Sequence, residues 1–530
     1  MRGVLNCATL VLHLSILFWK EVFAMKLQHV TPESVGVPSQ AVLDLLDEFY
    51  RQGVEMHGLM LLRHGQVYAE GHWAPYNAQT PHILFSFSKS LTSTAIGFAV
   101  QEGILSLEDK LVDLFPDKVP ENPSENLQAC CVRDLLMMAC GHAKEIDWVA
   151  SSSDWVSQFL EDPFVYQPGT HFLYNTAGTN MLSAIITRKT GLTLTQFLQP
   201  RLFDPLEMGQ VFCQPLADGT EMGGAGMYLT LEAMARFTQF VAHKGRWEGK
   251  QLLNAAWFEE ATAKHIENLG PGWDGDPDWH AGYCYQFWRC DKPGIFRGDG
   301  AYGQYGIVLE PQDAVVVIQG CTVQLQKVLN AVWDKLLPAL GQEPLPQDSH
   351  GFHRLQKRLE RLELNPMLGT RNPGAEASLD GAVYLPDAPT PGLLDLVDGG
   401  GHYVPAGHTL ESLGFSFQGG KAALVFHQDN GALELPVGLE GHFLSAPLEG
   451  TVLGANGRWR NRNTLEVEVR NTRMVSGQRM LFQFEGDKLT VSGDITLPDN
   501  GGLAGKCLEP ITFTLREGEV STKTKMYWEQ

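Results

Sequence analysis

Ser86-Phe87-Ser88-Lys89 sets a serine and a lysine three residues apart. The pair follows the apolar run Ile83-Leu84-Phe85 and opens a stretch in which Leu91, Ala95, Phe98 and Ala99 fall on one helical face. Residues three apart share a helix face, so Lys89 reaches the hydroxyl of Ser86. A serine hydroxyl is a weak nucleophile until a neighbouring base takes its proton, and a desolvated lysine is such a base. Taken alone the pattern is weak, because about one chance S-x-x-K is expected in a chain of this length. A cap serine followed by a solvated lysine writes the same four letters, so the surrounding chain has to decide.

Three further segments carry chemistry-bearing residues. Gly169-Thr170-His171-Phe172-Leu173-Tyr174-Asn175-Thr176 sets a tyrosine just ahead of a helical pattern. Gly223-Gly224-Ala225-Gly226-Met227-Tyr228 is a small-residue bend before another helix. It lacks the lysine of a phosphate cradle and reads as backbone crowding beside a pocket. Gly298-Asp299-Gly300-Ala301-Tyr302-Gly303-Gln304 leads into an apolar strand. No G-x-S-x-G elbow, H-E-x-x-H or C-x-x-C occurs, which removes α/β-hydrolase, zincin and thioredoxin readings. His72, His82, His142 and His171 read as polar core or surface residues, and Trp148, Trp155, Trp279 and Trp288 as core, with a cleft wall as the alternative.

The elements that must hold these residues follow from periodicity. Residues 39–50 read as an amphipathic helix with Val42, Leu45, Leu46 and Phe49 on one face, and 58–69 as a hairpin turning at His64-Gly65. The Ser86 helix ends at Gly103, and 105–115 continues compactly. Residues 134–138, 176–190, 194–202 and 229–243 are further helices, and 303–309 and 314–319 are strands around a Glu310-Pro311-Gln312-Asp313 turn. Strands at both ends with helices between predict an antiparallel sheet flanked by a helical subdomain. Residues 344–349 read as a linker and 352–364 as a charged helix. Beyond it Leu465, Val467 and Val469, then Met480, Phe482 and Phe484, alternate with polar residues, which predicts an all-β region. The division expected is 25–345 for a first domain, 346–369 for a linking helix and 370–530 for a β domain.

At 530 residues two cores are expected, and 44% hydrophobic with 19% charged residues is globular composition. A formal net charge of -21 argues against nucleic-acid partners and against anionic membrane surfaces. The nine cysteines are scattered, with Cys130 and Cys131 adjacent, and read as reduced buried thiols. Residues 1–24 read either as an export signal or as a segment ahead of a start at Met25. The second reading, with unpaired thiols, favours the cytoplasm. No other stretch is long and apolar enough to cross a membrane, and the oligomeric state is not read.

The ordered segments resemble the serine β-lactamase-like superfamily, on the branch holding class C β-lactamases, D-alanyl-D-alanine carboxypeptidases, esterases and 6-aminohexanoate-dimer hydrolase. Residues 85–90 resemble its nucleophile helix. Val132-Arg133-Asp134-Leu135-Leu136-Met137-Met138 with Gly141-His142, the Pro168-to-Tyr174 segment, Asp204-Pro205-Leu206-Glu207-Met208, residues 283–288 and Tyr302-Gly303-Gln304 resemble its later motifs. The resemblance implies an α+β, β-lactamase/transpeptidase-like fold over roughly residues 30–340, with a barrel-like all-β extension. It implies a covalent acyl-enzyme chemistry needing no cofactor or metal and acting on a small-molecule ester or amide.

In that casting Ser86 is the nucleophile, Lys89 its base, and Tyr174 a proton shuttle whose phenolic pKa is lowered by Lys89. The backbone N–H groups of Ser86 and Ala301 form the oxyanion hole, and Asn175, Thr176, Asp299 and Gly300 are candidates for substrate contact. Gly298 and Gly300 are expected to let the strand edge approach the substrate. Two departures from the family pattern matter. The second motif reads Tyr174-Asn175-Thr176 rather than Tyr-x-Asn. The third reads Gly298-Asp299-Gly300 rather than Lys-Thr-Gly or His-x-Gly, with Arg297 expected to aim elsewhere by strand alternation. Loss of that cation favours substrates without a carboxylate there over a β-lactam or D-Ala-D-Ala. The alternatives are those two activities and a non-hydrolytic binding or sensing module.

Overall fold

Two strands, β1 (Glu55–Arg63) and β2 (Gln66–His72), begin the sheet on which the first domain is built. His64 and Gly65 between them both take positive φ, 52° and 73°, the backbone of the tight two-residue turn whose twist matches paired strands. The structure is a computed structural model that describes residues 27–146, 153–268, 276–397, 407–448, 450–496 and 508–516. The signal-like stretch 1–24, the alternative start at Met25, Trp148 and Cys507 lie outside the described residues.

The other four strands come from far along the chain: β3 (Trp288–Arg289), β4 (Ile295–Gly300), β5 (Gln304–Leu309) and β6 (Ala314–Cys321). The order is β2-β1-β6-β5-β4-β3 with every pair antiparallel. Helices cover both faces, which is why β6 is apolar at consecutive positions instead of alternating. Val316 and Ile318 pack on the side of α1 (Ser39–Arg51), whose Val42, Leu45, Leu46 and Phe49 are all buried. Val315 and Val317 face the opposite core, shared with α2 (Ser88–Gln101). Burying each such side chain contributes about 1.5–3 kcal/mol.

Helices α3 (Thr176–Thr190) and α4 (Leu231–Ala242) lie in the helical insertion between β2 and β3. Asn175 and Thr230 cap them through hydrogen bonds accepted from Gly178 N–H and Ala233 N–H. Residues 105–115 hold one short helical turn, Leu111–Leu114. The 194–202 helix keeps Leu194–Leu198 and widens into a π turn, Gln199–Phe203, that accommodates Pro200.

The C-terminal strands are β7 (Val383–Pro386), β8 (Leu410–Gln418), β9 (Lys421–Gln428), β10 (Gly431–Gly438), β11 (Leu444–Leu448), β12 (Thr451–Trp459), β13 (Thr464–Asn471), β14 (Gly477–Glu485), β15 (Lys488–Ile495) and β16 (Leu508–Leu515). Nine of them close a barrel, because β10 meets β12 in a parallel contact at Gly438 and Asn456, while β11 hangs on β12 from outside. The alternating residues point inward: Leu465, Val467, Val469, Met480, Phe482 and Phe484 all join one core. Two short helices, Pro373–Leu379 and Leu393–Val397, interrupt a region expected to be purely β. The first is started by the Asn372 cap and Pro373, and the second packs Leu393, Leu396 and Val397 on the barrel core.

The outward-facing charges of β13 dock the barrel. Arg470 donates from both terminal nitrogens to Glu55 on β1, at 2.9 and 3.2 Å, and from Nε to Glu468 at 2.7 Å. Glu55 also contacts His57 at 3.1 Å, His57 bonds His82 at 2.9 Å, and His82 Nδ1 donates to the Ile83 carbonyl at 2.8 Å. Burial alone would raise the Glu55 pKa, yet the Arg470 charge and the His57 hydrogen bond hold it down at about 2. Removing one partner of such a pair strands the other charge. Arg470→Ala is expected to destabilise the chain by roughly 3 kcal/mol in equilibrium denaturation, and the double variant Glu55→Gln/Arg470→Met to recover most of that loss.

Candidate active site

Ser86 sits in a single 3-10 turn, Phe85–Phe87, that runs straight into α2. Phe85 immediately before it has φ +46°, a left-handed backbone that a phenylalanine adopts only under constraint from its surroundings. The turn leaves Ser86 half-buried, while Lys89, one turn on, is 1% exposed.

The Lys89 amine lies 3.0 Å from Ser86 Oγ, 2.7 Å from the Gly224 carbonyl and 3.4 Å from Thr176 Oγ1. Burial lowers its pKa from the usual lysine value to about 7, a shift opposed only in part by the carboxylates of Glu145 and Asp299. The neutral amine is therefore well populated near pH 7. The Gly224 carbonyl can only accept a hydrogen bond, so one N–H points at it and another is available to Thr176. In the neutral amine the lone pair is then left for the Ser86 O–H.

The glycine bend reaches Lys89 because nothing larger fits. A Cβ on Gly223 would lie 2.7 Å from Thr92 Oγ1, and one on Gly224 would lie 2.8 Å from Thr176 Cγ2. Thr92 Oγ1 donates to the Gly223 carbonyl at 2.8 Å and Asn180 Oδ1 accepts from Gly224 N–H at 2.9 Å, so α2 and α3 clamp the bend. Crowding is what the small residues provide there, as the sequence suggested.

Tyr174 lies just ahead of the Asn175 cap, with Lys89 Nζ 4.9 Å from its ring centroid and the Trp288 ring stacked on it at 5.4 Å. Its pKa is raised above the ordinary tyrosine value, by burial first and then by the Asp299 charge, outweighing the hydrogen bond with Ser86 that favours the phenolate. This corrects the expected lowering by Lys89: desolvation of the phenolate, joined by the Asp299 and Glu145 charges, outweighs the groups that favour it. Tyr174 is held as a phenol, able to donate a proton.

The remaining candidates separate. Thr176 is in the site, beside Lys89, with its N–H donating to Glu145 Oε1 at 3.0 Å. Asn175 is not. It is 1% exposed, accepts from Gly178 N–H as the helix cap, and approaches Cys140 and His142 on the far side. Asp299 lies within β4 rather than in a turn, 2.9 Å from Arg297 Nε. Residues two apart on a strand share a face, so Arg297 joins Asp299 in a pair that is buried on both sides and offers the site no open cation. Its guanidinium lies over Trp279 at 4.4 Å and also donates to the Asp278 carbonyl. Burial raises the Asp299 pKa despite that partner.

Gly298 and Gly300 make room for the nucleophile turn. A Cβ on Gly300 would fall 2.1 Å from the Leu84 carbonyl and 3.1 Å from Phe87 N, and one on Gly298 2.8 Å from Ser90 Oγ. Their bareness lets β4 press against the turn carrying Ser86, which brings Ala301, the first residue past β4, alongside it. Two participants escaped the sequence reading. Glu145 holds Thr176, and no motif marks it. Gln286 accepts from Thr179 Oγ1 at 2.7 Å and donates to the Leu135 and Leu136 carbonyls at 3.1 and 2.9 Å. Its own carbonyl takes the Ser90 hydroxyl at 2.9 Å, joining α2, α3 and the 132–136 helix.

The chain belongs to the Beta-lactamase family, whose profile matches residues 46–320. Among curated proteins it is 26% identical over 278 residues to 6-aminohexanoate-dimer hydrolase of Paenarthrobacter ureafaciens, covering 49% of this chain and 70% of that protein. It is 25% identical over 235 residues to a Beta-lactamase of Escherichia coli, covering 38% of this chain and 61% of the relative. Among solved structures, the octameric penicillin-binding protein homologue from Pyrococcus abyssi aligns over 89% of this chain and 99% of its own at 13% identity, with a TM-score of 0.47. The expected superfamily and its α+β fold class therefore hold.

Gly300→Ala tests the contact between β4 and the nucleophile turn. The added methyl must displace the Leu84 carbonyl, so reaction of Ser86 with an activated phosphonate is expected to slow by about 10²-fold while the far-UV spectrum is retained. An unchanged labelling rate would show that the turn tolerates the shift.

Proposed function

We propose that this protein is a serine hydrolase that cleaves a small ester or amide through a covalent acyl-enzyme on Ser86. The observation that carries the reading is the buried Lys89 amine, 3.0 Å from Ser86 Oγ with its pKa lowered to about 7. Lys89 takes the hydroxyl proton as Ser86 Oγ bonds to the substrate carbonyl carbon. The carbonyl oxygen becomes an oxyanion held by the backbone N–H groups of Ser86 and Ala301, an interaction worth about 3 kcal/mol per donor. On collapse the bond to the leaving group breaks, and Tyr174, kept protonated by its surroundings, donates the proton to the departing oxygen or nitrogen. The Lys89 ammonium then returns the proton it took from Ser86 to the Tyr174 phenolate, restoring a neutral amine and a phenol. Water attacks the acyl-enzyme, Lys89 accepting its proton, and as the acyl–oxygen bond breaks Lys89 passes that proton to Ser86 Oγ, which is released as the hydroxyl.

The charges near β4 support the choice of substrate. Arg297 is 0% exposed and paired with Asp299, so it offers no open cation for a substrate carboxylate at the third motif. An ester, or an amide without a carboxylate at that position, avoids stranding a negative charge beside Asp299. A relative is named 6-aminohexanoate-dimer hydrolase, and two amino-acid units are joined by an amide.

Fluorophosphonate labelling should fall on Ser86 and disappear in Ser86→Ala. For p-nitrophenyl esters, kcat/KM is expected to rise with pH through an apparent pKa near 7, because activity needs the neutral Lys89 amine and protonation removes it below that value. An apparent pKa near the ordinary lysine value would sink the assignment of Lys89 as base. Tyr174→Phe is expected to lower kcat by roughly 10²-fold. Turnover of nitrocefin above that of simple esters would favour a β-lactamase instead, and folded protein that is never labelled would favour a binding module.

Lys89→Met carries a stability consequence of opposite sign. The unfolded lysine holds its proton up to its ordinary pKa while the folded one releases it near 7. Folding is therefore disfavoured most at low pH, and the penalty is relieved as pH rises from 7 toward that ordinary value. The inactive Lys89→Met variant is expected to be more stable than the parent by about 1–2 kcal/mol at pH 6, the margin shrinking at pH 9.

A further inference from the structure

The two backbone groups assigned to the oxyanion are bounded by an unusual pair of residues. Phe85 precedes Ser86 with φ +46°, and Tyr302 follows Ala301 with φ +63°. Neither is glycine, and each such conformation costs about 1–3 kcal/mol, which the surroundings have to supply. Their rings pack on each other with centroids 5.4 Å apart. The Tyr302 hydroxyl is buried without a hydrogen-bond partner among the described residues, so packing is what positions that ring.

The packing comes from the other domain. Phe85 and Tyr302 belong to one apolar cluster with Ile83, Tyr228 and Cys321, and Met474 and Val475 complete it. Those two residues lie at the tip of the hairpin joining β13 to β14, and they are 3% and 2% exposed. The tip is tied to the same ground. Ile83 N–H donates to the Arg473 carbonyl at 2.8 Å and Tyr76 Oη to the Met474 carbonyl at 3.0 Å. Tyr228 Oη approaches Met474 Sδ at 3.7 Å, and the Arg473 guanidinium lies 4.7 Å from the Tyr228 ring centroid. Within the hairpin, Asn471 Oδ1 accepts from Arg473 N–H and Asn471 O from Met474 N–H, at 3.1 and 2.9 Å.

We propose that Met474 and Val475 of the barrel are positioning residues for the oxyanion hole: their side chains hold Phe85 and Tyr302 in the left-handed conformations that aim the Ser86 and Ala301 N–H groups at one point. The inference rests on the serine-hydrolase reading and assigns the barrel a part in the chemistry. A donor that swings away from the developing charge loses most of its worth, so the effect belongs in the rate of acylation rather than in substrate binding.

The test compares p-nitrophenyl acetate with its thiono analogue, in which sulfur replaces the carbonyl oxygen and accepts hydrogen bonds poorly. The parent chain should favour the oxygen ester. Val475→Ala and Met474→Ala are expected to lower kcat on the order of tenfold with KM little changed. They should also shrink the oxygen-to-sulfur rate ratio, and Met474→Leu should restore both. Val491→Ala, in the barrel core and away from the hairpin, controls for lost stability and should leave the ratio at the parent value. A fall in kcat with an unchanged ratio, or no fall at all, would overturn the inference. If the parent itself forms no acyl-enzyme on Ser86, by mass spectrometry of the quenched reaction, the hydrolase reading fails first and this one falls with it.

Discussion

A lysine with 1% of its surface in solvent must find partners for its nitrogen within the fold, and the site is arranged around that demand. The partners of Lys89 come from three places: Ser86 on its own helix, Thr176 at the head of α3 and the Gly224 carbonyl in the glycine bend. Each has to be brought in from a different part of the helical insertion. The bend comes close because Gly223 and Gly224 have no side chains to collide with Thr92 and Thr176. The head of α3 is fixed by the Asn175 cap and by Glu145. Gln286 then ties α2 and α3 to the 132–136 helix through four hydrogen bonds. Desolvation moves the amine from an ordinary cation to a base poised near neutrality. The same desolvation acts in the opposite direction on the neighbouring phenol, so one physical cause separates a proton acceptor from a proton donor within a few ångströms.

The sheet contributes its stiffness and its glycines. Covered on both faces, it is a rigid floor, and β4 is pressed against the Ser86 turn until a methyl group at position 300 would meet the Leu84 carbonyl. The Arg297–Asp299 pair lies under this floor, screened from solvent and stacked beneath Trp279. Its acid raises the Tyr174 pKa and partly sustains that of Lys89, so a group with no direct hand in bond breaking still sets the proton affinities of both residues that have one.

Much of this was legible in the chain because it is local. The serine-lysine spacing, the 39–51 helix, the His64-Gly65 turn, the alternation of β13 and β14 and the crowded glycine bend are each written within a few residues. What could not be read is non-local. Asn175 looks like a polar residue beside a tyrosine, and only the start of α3 turns it into a cap. Gly298 and Gly300 look like an open strand edge until the nucleophile turn is laid on them. Arg297 reads as a cation turned away from the site, and only the fold shows that its partner is Asp299, two residues on. The pKa of Tyr174 follows its burial and the charge of Asp299, distant in the chain, which the residues around 174 do not reveal. Glu145 and the Arg470–Glu55 pair join segments up to 415 residues apart with nothing in their own neighbourhoods to announce them, and Gln286, although it lies in the 283–288 motif, shows its links to distant helices only in the fold.

The docking of the barrel on β1 bears on what counts as a unit in this chain. The family profile ends at residue 320, yet the groups that neutralise Glu55 and seal Ile83, Phe85 and Tyr302 come from residues 470–475. A line of hydrogen-bonded contacts runs from Arg470 through Glu55, His57 and His82 to the Ile83 carbonyl, three residues short of Ser86. Two architectures divide the polypeptide by shape, but a cut between them would leave a buried carboxylate uncompensated and an oily face wet. Each half therefore covers a surface that the other cannot leave open to water.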